Sequence, residues 1–143
     1  MIWSRKYQLE EFAPFQKDTL LEALGIELTE IGDDYLVGTM PVDERTRQPF
    51  GILHGGASVA LAETLGSVAA GMIIDMNQFI AVGLDVNANH LRPVANGEVV
   101  GVAKPILIGK KTQVWEIKIS DASTGKLSCI SRLTMAILPR NKN

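Results

Sequence analysis

The feature that most constrains the fold is a run of apolar and small residues at positions 57–74, in which Glu63 is the only charged residue. Ala, Leu, Met and Glu favour helix, and the lack of charge predicts a helix that is covered on every face. The run is long enough to cross a bilayer, but Glu63 near its centre would cost about 3 kcal/mol on insertion scales. We therefore predict a buried helix of a soluble protein, not a membrane span, with the N-terminal segment or a partner subunit over its outer side.

Strand patterns precede and follow this helix. A hairpin is predicted before it, because Gly32, Asp33 and Asp34 divide two apolar and β-branched runs. Four strands are predicted after it, and their short connections favour antiparallel neighbours. The predicted elements are a short helix within 9–24, strands 25–31 and 35–42, the central helix, and strands 79–90, 97–108, 112–120 and 127–138. Residues 1–143 therefore predict one α+β domain, a curved antiparallel sheet wrapped around one long helix.

The composition argues against several classes of protein. Fourteen Lys and Arg against sixteen Asp and Glu, without a basic block, argue against a nucleic-acid binder. One cysteine, Cys129, excludes an internal disulfide, and two histidines leave little material for a metal site. Cys129 is interpreted as a buried structural thiol, and Trp3 and Trp115 as packing residues. The N-terminus lacks the apolar core of a signal peptide, so we expect a cytoplasmic protein.

The residues in front of the central helix indicate a reactive site. Gly55 and Gly56 follow His54, and two glycines let the backbone approach a ligand while their N–H groups remain free at the helix start. The positive end of the helix dipole suits a developing oxyanion. Glu63 and Ser67, four residues apart, share one helix face. A lone buried carboxylate is costly, so Glu63 is a functional candidate.

Structural interpretations of the same residues stay open. The two glycines would also suit a simple tight turn, His54 a structural hydrogen bond, and Glu63 an ion pair with Arg92 or Arg132. The spacing matches neither a Walker loop, nor a G-x-S-x-G elbow, nor a zinc-binding H-E-x-x-H, so those chemistries are set aside.

Essentially the whole chain resembles a known family. The segment G-I-L-H-G-G-A-S-V-A-L-A-E-T-L-G-S, with the spacing H-G-G-x(6)-E, is similar to hotdog-fold acyl-CoA thioesterases of the phenylacetate-degradation type. Similarity to the branch that hydrolyses 1,4-dihydroxy-2-naphthoyl-CoA in menaquinone synthesis lies in M-I-W-S-R-K, I-G-D-D-Y-L-V-G-T-M-P-V-D-E-R-T-R-Q-P-F-G, V-G-L-D-V-N-A-N-H-L-R-P and S-C-I-S-R-L-T-M-A-I-L. The resemblance implies a hotdog fold and hydrolysis of an aromatic acyl-CoA.

The resemblance also implies roles for individual residues. Glu63 would be the nucleophile or general base, and the Gly55 N–H and the Gln48 amide would polarise the thioester carbonyl. Gln48 and Gly55 would come from one subunit, and Glu63 and Ser67 from its partner. His54 would lie near the thioester, and Ser67 would hold the water or the acyl intermediate. The family resemblance implies a homo-oligomer, a dimer of dimers, that needs no metal or other cofactor.

A path for the CoA part of the substrate is implied as well. Two lysines on a glycine turn suit the nucleotide phosphates, although a hairpin tip with two lysines is as often merely solvated. The residues expected to line the path are Gly83, His90, Leu91, Arg92, Pro93, Leu107, Ile108, Gly109, Lys110, Lys111, Thr112 and Leu138.

Other functions compete with this interpretation. A broad-specificity acyl-CoA or acyl-carrier thioesterase would use the same residues. A hotdog enoyl-CoA hydratase also places an acid on the central helix, but the glycines after His54 fit a thioesterase better. A non-catalytic acyl-CoA-binding protein is the alternative outside enzymes.

Overall fold

The computed structural model describes residues 1–141. Two 3₁₀ turns, Leu9–Glu11 and Ala13–Phe15, lead into a five-residue helix, α1. The elements are α1 Leu20–Leu24, β1 Glu27–Ile31, β2 Leu36–Pro41, α2 Gly55–Ile73, β3 Phe79–His90, β4 Glu98–Ile108, β5 Thr112–Asp121 and β6 Leu127–Pro139. The predicted central helix and all six predicted strands are therefore present.

The short helix predicted within residues 9–24 is present as α1, which occupies only the last five residues of that segment. The earlier part forms 3₁₀ turns and not α-helix, because Pro14 lies in the second turn and Asp18 has a φ of 59°. Proline lacks an N–H for helix continuation, and a positive φ is incompatible with a right-handed helix.

The six strands form one antiparallel sheet in the order β1-β2-β4-β5-β6-β3. The prediction that consecutive later strands are neighbours fails for β3 and β4, since β3 pairs with β6 at the sheet edge. Residues 91–97 connect them across three strand spacings, about 14 Å, which seven extended residues span easily. The connection is held by hydrogen bonds from the Leu53 N–H to the Val94 carbonyl and from the Val42 N–H to the Gly97 carbonyl, each 2.8 Å.

The sheet-facing side of α2 fits the sheet closely. Gly38 of β2 and Gly101 of β4 are register partners, and a Cβ on either would lie 2.7 Å from the Leu65 side chain. A Cβ on Gly66 would lie 2.5 Å from the Leu133 side chain. These glycines let α2 approach the sheet, because a larger side chain at any of them would overlap a core leucine.

The outer side of α2 is covered over its second half only. Both the N–H and the hydroxyl of Ser4 donate to the Met72 carbonyl, at 2.9 and 2.8 Å. Trp3 is buried and stacks on Trp115, with ring centroids 6.4 Å apart. Within one chain the first half of α2 is left uncovered, and Glu63 is exposed there. Of the two predicted covers, the N-terminal segment lies over the second half of α2, and cover of the first half by a partner subunit stays a prediction.

Packing settles several sequence interpretations. Trp3, Trp115 and Cys129 lie in the core, as predicted, and burial raises the pKa of the Cys129 thiol. By length and mean hydropathy, 1.4, α2 is able to cross a membrane. It packs against the five strands from β2 to β6, as expected for the core helix of a soluble domain.

Candidate active site

The loop in front of α2 is held firmly at both ends. The Thr46 hydroxyl donates to the Pro41 carbonyl at 2.7 Å, and the His54 N–H donates to the Thr46 carbonyl at 2.8 Å. The side-chain carbonyl of Gln48 accepts a hydrogen bond from the Phe50 N–H. An amide oxygen only accepts hydrogen bonds, so the NH₂ group of Gln48 is the part of the side chain that can donate to a ligand.

Both histidines of the chain lie against the first turn of α2. His54 is the N-cap residue, and its Nδ1 accepts from the Gly56 N–H at 2.7 Å. A Cβ on Gly55 would lie 2.9 Å from Nε2 of His90. The two glycines therefore make room for two imidazole rings. Their role is not limited to the tight turn that was the structural alternative.

Glu63 lies two helical turns further along α2 and is exposed. Its Oε1 would be 3.0 Å from a Cβ on Gly83, so the carboxylate lies directly against β3 where that strand has no side chain. No salt bridge within residues 1–141 involves Glu63, and Arg92 instead donates to the Leu127 carbonyl at 3.0 Å. The structural alternative of an ion pair with Arg92 or Arg132 is thus not realised in this chain.

Ser67 follows Glu63 by one turn. Its hydroxyl lies 3.8 Å from the Met135 sulfur, and Met135 is the register partner of Gly83. Glu63 and Ser67 therefore both face the Gly83–Met135 pair of β3 and β6. The structure brings these two predicted site residues together on one face, as their spacing indicates.

A groove of about 800 Å³ begins at Ser67 and runs toward the C-terminal end of α2. We call it the α2 groove. One side is formed by the N-terminal segment and the other by α2 and the residues after it. Its lining residues are Ser4, Arg5, Tyr7, Glu11, Phe12, Phe15, Ser67, Val68, Gly71, Met72, Ile74, Asp75, Met76 and Asn77. Sequence reasoning missed this part of the site, although the three aromatic residues between positions 7 and 15 were a signal for it.

The two halves of the predicted site are far apart within one chain. Gly55 and Glu63 are eight residues apart in α2, or about 12 Å along the helix axis. A carbonyl bound to the Gly55 N–H at hydrogen-bond distance is therefore out of reach of the same chain's Glu63.

The predicted CoA-binding residues form two separate groups. Lys111 and Leu138 lie close together, because the Lys111 carbonyl accepts from the Ile137 N–H at 2.8 Å. Leu138 pairs with Ile80, whereas His90 lies at the other end of β3, ten residues or about 33 Å away. The first group comprises Leu107, Ile108, Gly109, Lys110, Lys111, Thr112 and Leu138, and the second His90, Leu91, Arg92 and Pro93. Gly83 lies between the groups and against Glu63.

Within the described residues 1–141, no three His, Cys, Asp or Glu side chains lie together in a way that would hold a metal ion. The chemistry available at the site is that of a carboxylate, a hydroxyl, an amide and a helix N-terminus. A carboxylate can attack an ester-like carbonyl carbon itself or activate a water that does so. The amide and the helix N-terminus can stabilise the oxyanion that forms.

Comparisons with known proteins identify the class. Residues 50–128 match the family model described as the Thioesterase superfamily, and the chain belongs to that superfamily. It is a thioester hydrolase with a hotdog fold, acting on acyl-CoA thioesters.

Individual relatives cover nearly the full chain. Over 138 residues the chain is 51% identical to the 1,4-dihydroxy-2-naphthoyl-CoA hydrolase of Escherichia coli, covering 96% of this chain and 100% of that one. It is 50% identical over 138 residues to the proofreading thioesterase EntH of Cronobacter turicensis, covering 96% and 99%. The crystal structure of a mutant thioesterase from Pseudomonas aeruginosa superposes with a TM-score of 0.95 at 48% identity, covering 98% and 100%.

Proposed function

We propose that this protein hydrolyses an aromatic acyl-CoA, specifically 1,4-dihydroxy-2-naphthoyl-CoA, to the free acid and CoA in the cytoplasm. The observation that carries the proposal is the exposed Glu63 carboxylate, which lies against Gly83 without a salt-bridge partner within residues 1–141. The choice of acyl group is supported by the 51% identity to the relative named for that hydrolysis.

In the proposed reaction the Gly55 N–H and the Gln48 amide donate hydrogen bonds to the thioester carbonyl. Glu63 attacks the carbonyl carbon itself or removes a proton from an attacking water that Ser67 holds. The carbon–sulfur bond then breaks, and the sulfur leaves as CoA thiol with one proton from water. Where Glu63 attacks directly, water next cleaves the acyl–Glu63 anhydride and restores the carboxylate, so in either route the free acid gains one oxygen from water. His54 lies beside the thioester, and the positive end of α2 stabilises the oxyanion. No cofactor takes part in these steps.

We further propose that a complete site needs two copies of the chain. The axial separation of about 12 Å between Gly55 and Glu63 supports this, since one carbonyl must contact both groups. The edge strand β3, twelve residues long with Val82 and Leu84 exposed, offers the pairing surface. Long open edges of this kind favour pairing with another chain. Gln48 and Gly55 of one copy then face Glu63 and Ser67 of the other, within a dimer of dimers.

Edge pairing would also unite the two groups of CoA-binding residues. Antiparallel pairing of two β3 strands sets the start of one beside the end of the other. The turn with Lys110 and Lys111 in one copy would then approach residues 90–93 of its partner. Both lysines are exposed and available to the nucleotide phosphates.

The substrate assignment is tested by measuring CoA thiol release from purified protein over a panel of acyl-CoAs. We expect the highest kcat/KM for 1,4-dihydroxy-2-naphthoyl-CoA, lower values for phenylacetyl- and hydroxybenzoyl-CoA, and the lowest for aliphatic thioesters. Hydration of an enoyl-CoA without thiol release would instead support a hydratase. Binding of acyl-CoA with neither hydrolysis nor hydration would support the alternative of a non-catalytic acyl-CoA-binding protein.

A second candidate is a thioesterase that acts on an acyl group carried by a carrier protein. A relative named as a proofreading thioesterase is 50% identical to this chain, so a thioesterase role other than 1,4-dihydroxy-2-naphthoyl-CoA hydrolysis occurs at almost the same similarity. The same aromatic acyl group, presented once on CoA and once on a carrier protein, separates the two. A higher kcat/KM with the carrier would move the assignment to that substrate.

The two-copy site is tested by mixing inactive variants. Gln48→Ala removes a donor from one half of the site, and Glu63→Gln removes the carboxylate from the other half. After unfolding and refolding together in equal amounts, about a quarter of the wild-type activity should return, since half of the dimers carry one intact site. A mixture that stays inactive while forming mixed dimers would place both halves in one chain.

A further inference from the structure

The α2 groove is continuous with the candidate active site through Ser67. Glu63, Ser67 and Gly71 follow one another at four-residue spacing and lie along one side of α2. The groove therefore begins beside the reacting groups and extends away from the helix N-terminus. An acyl chain whose carbonyl lies at Glu63 has this groove directly ahead of it.

Gly71 leaves the floor of the groove open. A Cβ placed there would meet only the Met76 sulfur, at 3.9 Å, which is an ordinary contact. Unlike Gly38, Gly66 and Gly101, it makes room for no neighbouring side chain. Gly71 lies in the last turn of α2, two residues before Ile73, and its φ is not positive. Neither its backbone conformation nor its packing in this chain therefore explains a glycine at this position, whereas a ligand lying in the groove would.

The opposite wall is aromatic and fixed in place. The Tyr7 and Phe12 rings lie 5.9 Å apart, and the Arg5 guanidinium lies 3.9 Å above the Tyr7 ring. Arg5 also forms a 2.7 Å salt bridge with Glu11. Phe15 completes the wall but is 77% exposed, so its ring has little packing role in the chain itself.

The charges in the groove disfavour the nucleotide part of CoA. Glu11 and Asp75 line it, and the only cation among the lining residues, Arg5, is already paired with Glu11. Phosphates would meet uncompensated negative charge there, while an uncharged flat ring would meet aromatic and aliphatic surfaces.

Building on the proposed function, we propose that the α2 groove binds the aromatic acyl group and that Gly71, Phe12 and Phe15 determine acyl specificity. Its volume of about 800 Å³ is within the range of small-molecule sites, about 300–1,000 Å³. Gly71 is the floor on which the flat ring lies, and the two phenylalanines cover its other face.

The test compares 1,4-dihydroxy-2-naphthoyl-CoA with butyryl-CoA in three variants. Gly71→Leu fills the groove, and we expect the ratio of its kcat/KM values, naphthoyl over butyryl, to fall about tenfold or more. Phe15→Ala should raise KM for the naphthoyl substrate more than for the butyryl substrate. Leu20→Ala is the control, since Leu20 is another exposed apolar residue of the N-terminal segment but lies outside the groove. It should change neither the kcat/KM ratio nor the relative KM values of the two substrates.

Stability measurements keep the result interpretable. Gly71→Ala should melt at or above the wild-type temperature, because alanine favours helix and its Cβ has space. If Gly71→Leu keeps the wild-type ratio while Glu63→Gln is inactive, the groove assignment is overturned and the proposed hydrolysis stands. If the wild type releases no thiol from either substrate, both are overturned.

Discussion

On the side of α2 that meets the sheet, Leu65 fills the space left by Gly38 and Gly101, whereas two residues earlier Glu63 is exposed on the outer side. The inner side is determined by packing within the chain, because Leu61 and Leu65 lie against glycines of the sheet. Any change in side-chain volume there would disturb the packing and lower the stability. The outer side carries small residues and valines, the Glu63 carboxylate and two hydroxyls, of which that of Thr64 donates to the Ala60 carbonyl and that of Ser67 lies nearer Met135. One helix thus separates the residues that hold the fold together from those proposed for chemistry, and substitutions on its two sides should affect different measurements.

The largest effect is expected on the outer side. Glu63→Gln removes the carboxylate but keeps its shape, and we expect kcat to fall by about 100- to 10,000-fold. The free energy of unfolding should change by less than about 0.5 kcal/mol, since Glu63 is exposed. Glu98→Gln, an exposed acid on β4, is the matched control. Unchanged turnover in Glu63→Gln would end the catalytic assignment.

The reverse pattern is expected on the inner side. Leu65→Ala leaves a cavity between α2 and the Gly38–Gly101 pair, which costs about 2–5 kcal/mol of stability. Urea unfolding followed by fluorescence measures this loss. Below the unfolding transition, kcat should stay within the same order of magnitude as that of the wild type. A larger loss of activity than of stability would show that the two sides of α2 are not separate.

Gly83→Ala tests the contact between the outer side and β3. The new methyl group would lie 3.0 Å from Oε1 of Glu63, so the carboxylate must move. Small displacements of a reacting group are costly, and we expect kcat to fall about 10- to 100-fold. In the Glu63→Gln background the same substitution should have little further effect on kcat. Independent, additive losses would mean that Gly83 acts elsewhere.

The smallest effect concerns the N-terminal segment over the second half of α2. The hydrogen bond from Arg5, helped by the Gln8 N–H, holds the pKa of Glu11 below its ordinary value. A carboxyl whose pKa is lower when folded stabilises the protein above its unfolded pKa, and this contribution is lost as pH falls through the folded pKa. Glu11→Gln should therefore lower the melting temperature slightly at neutral pH.

The pH dependence of that variant is its control. The difference in melting temperature from the wild type should vanish in acid, below both pKa values of Glu11. Glu10→Gln changes the neighbouring exposed acid and should give a smaller difference at neutral pH. A difference that persists unchanged in acid would mean that the Glu11 charge is not what stabilises the segment.

Much of the fold was predictable because its signals are local. The apolar run from 57 to 74 indicates a helix directly. In β5, Trp115, Ile117 and Ile119 alternate with less apolar neighbours, which indicates a strand, and the predicted bounds of both elements agree closely with the structure. The place of β3 beside β6 was not predictable in this way, since a seven-residue connection permits either a neighbouring or a distant strand. The 3₁₀ turns before α1 depend on single residues, Pro14 and Asp18, that interrupt a helical spacing.

The candidate site was predictable in part for a similar reason. Glu63 and Ser67 follow from helical spacing, and Gly55 from the glycine pair after His54. The contact of Glu63 with Gly83 and that of His90 with Gly55 join positions twenty or more residues apart. Such contacts follow from how the sheet curves around the helix, which no local pattern records.

The sequence by itself determined the class of fold, the central helix and the acid at its middle, because hydrophobic period and backbone preference act over a few residues. Only the tertiary structure decided that Glu63 is exposed, that about 12 Å of helix separates it from Gly55, and that the N-terminal segment forms one wall of the α2 groove. Those facts depend on contacts between elements that are distant in sequence, and the burial of a residue is determined only once all of these elements are packed together.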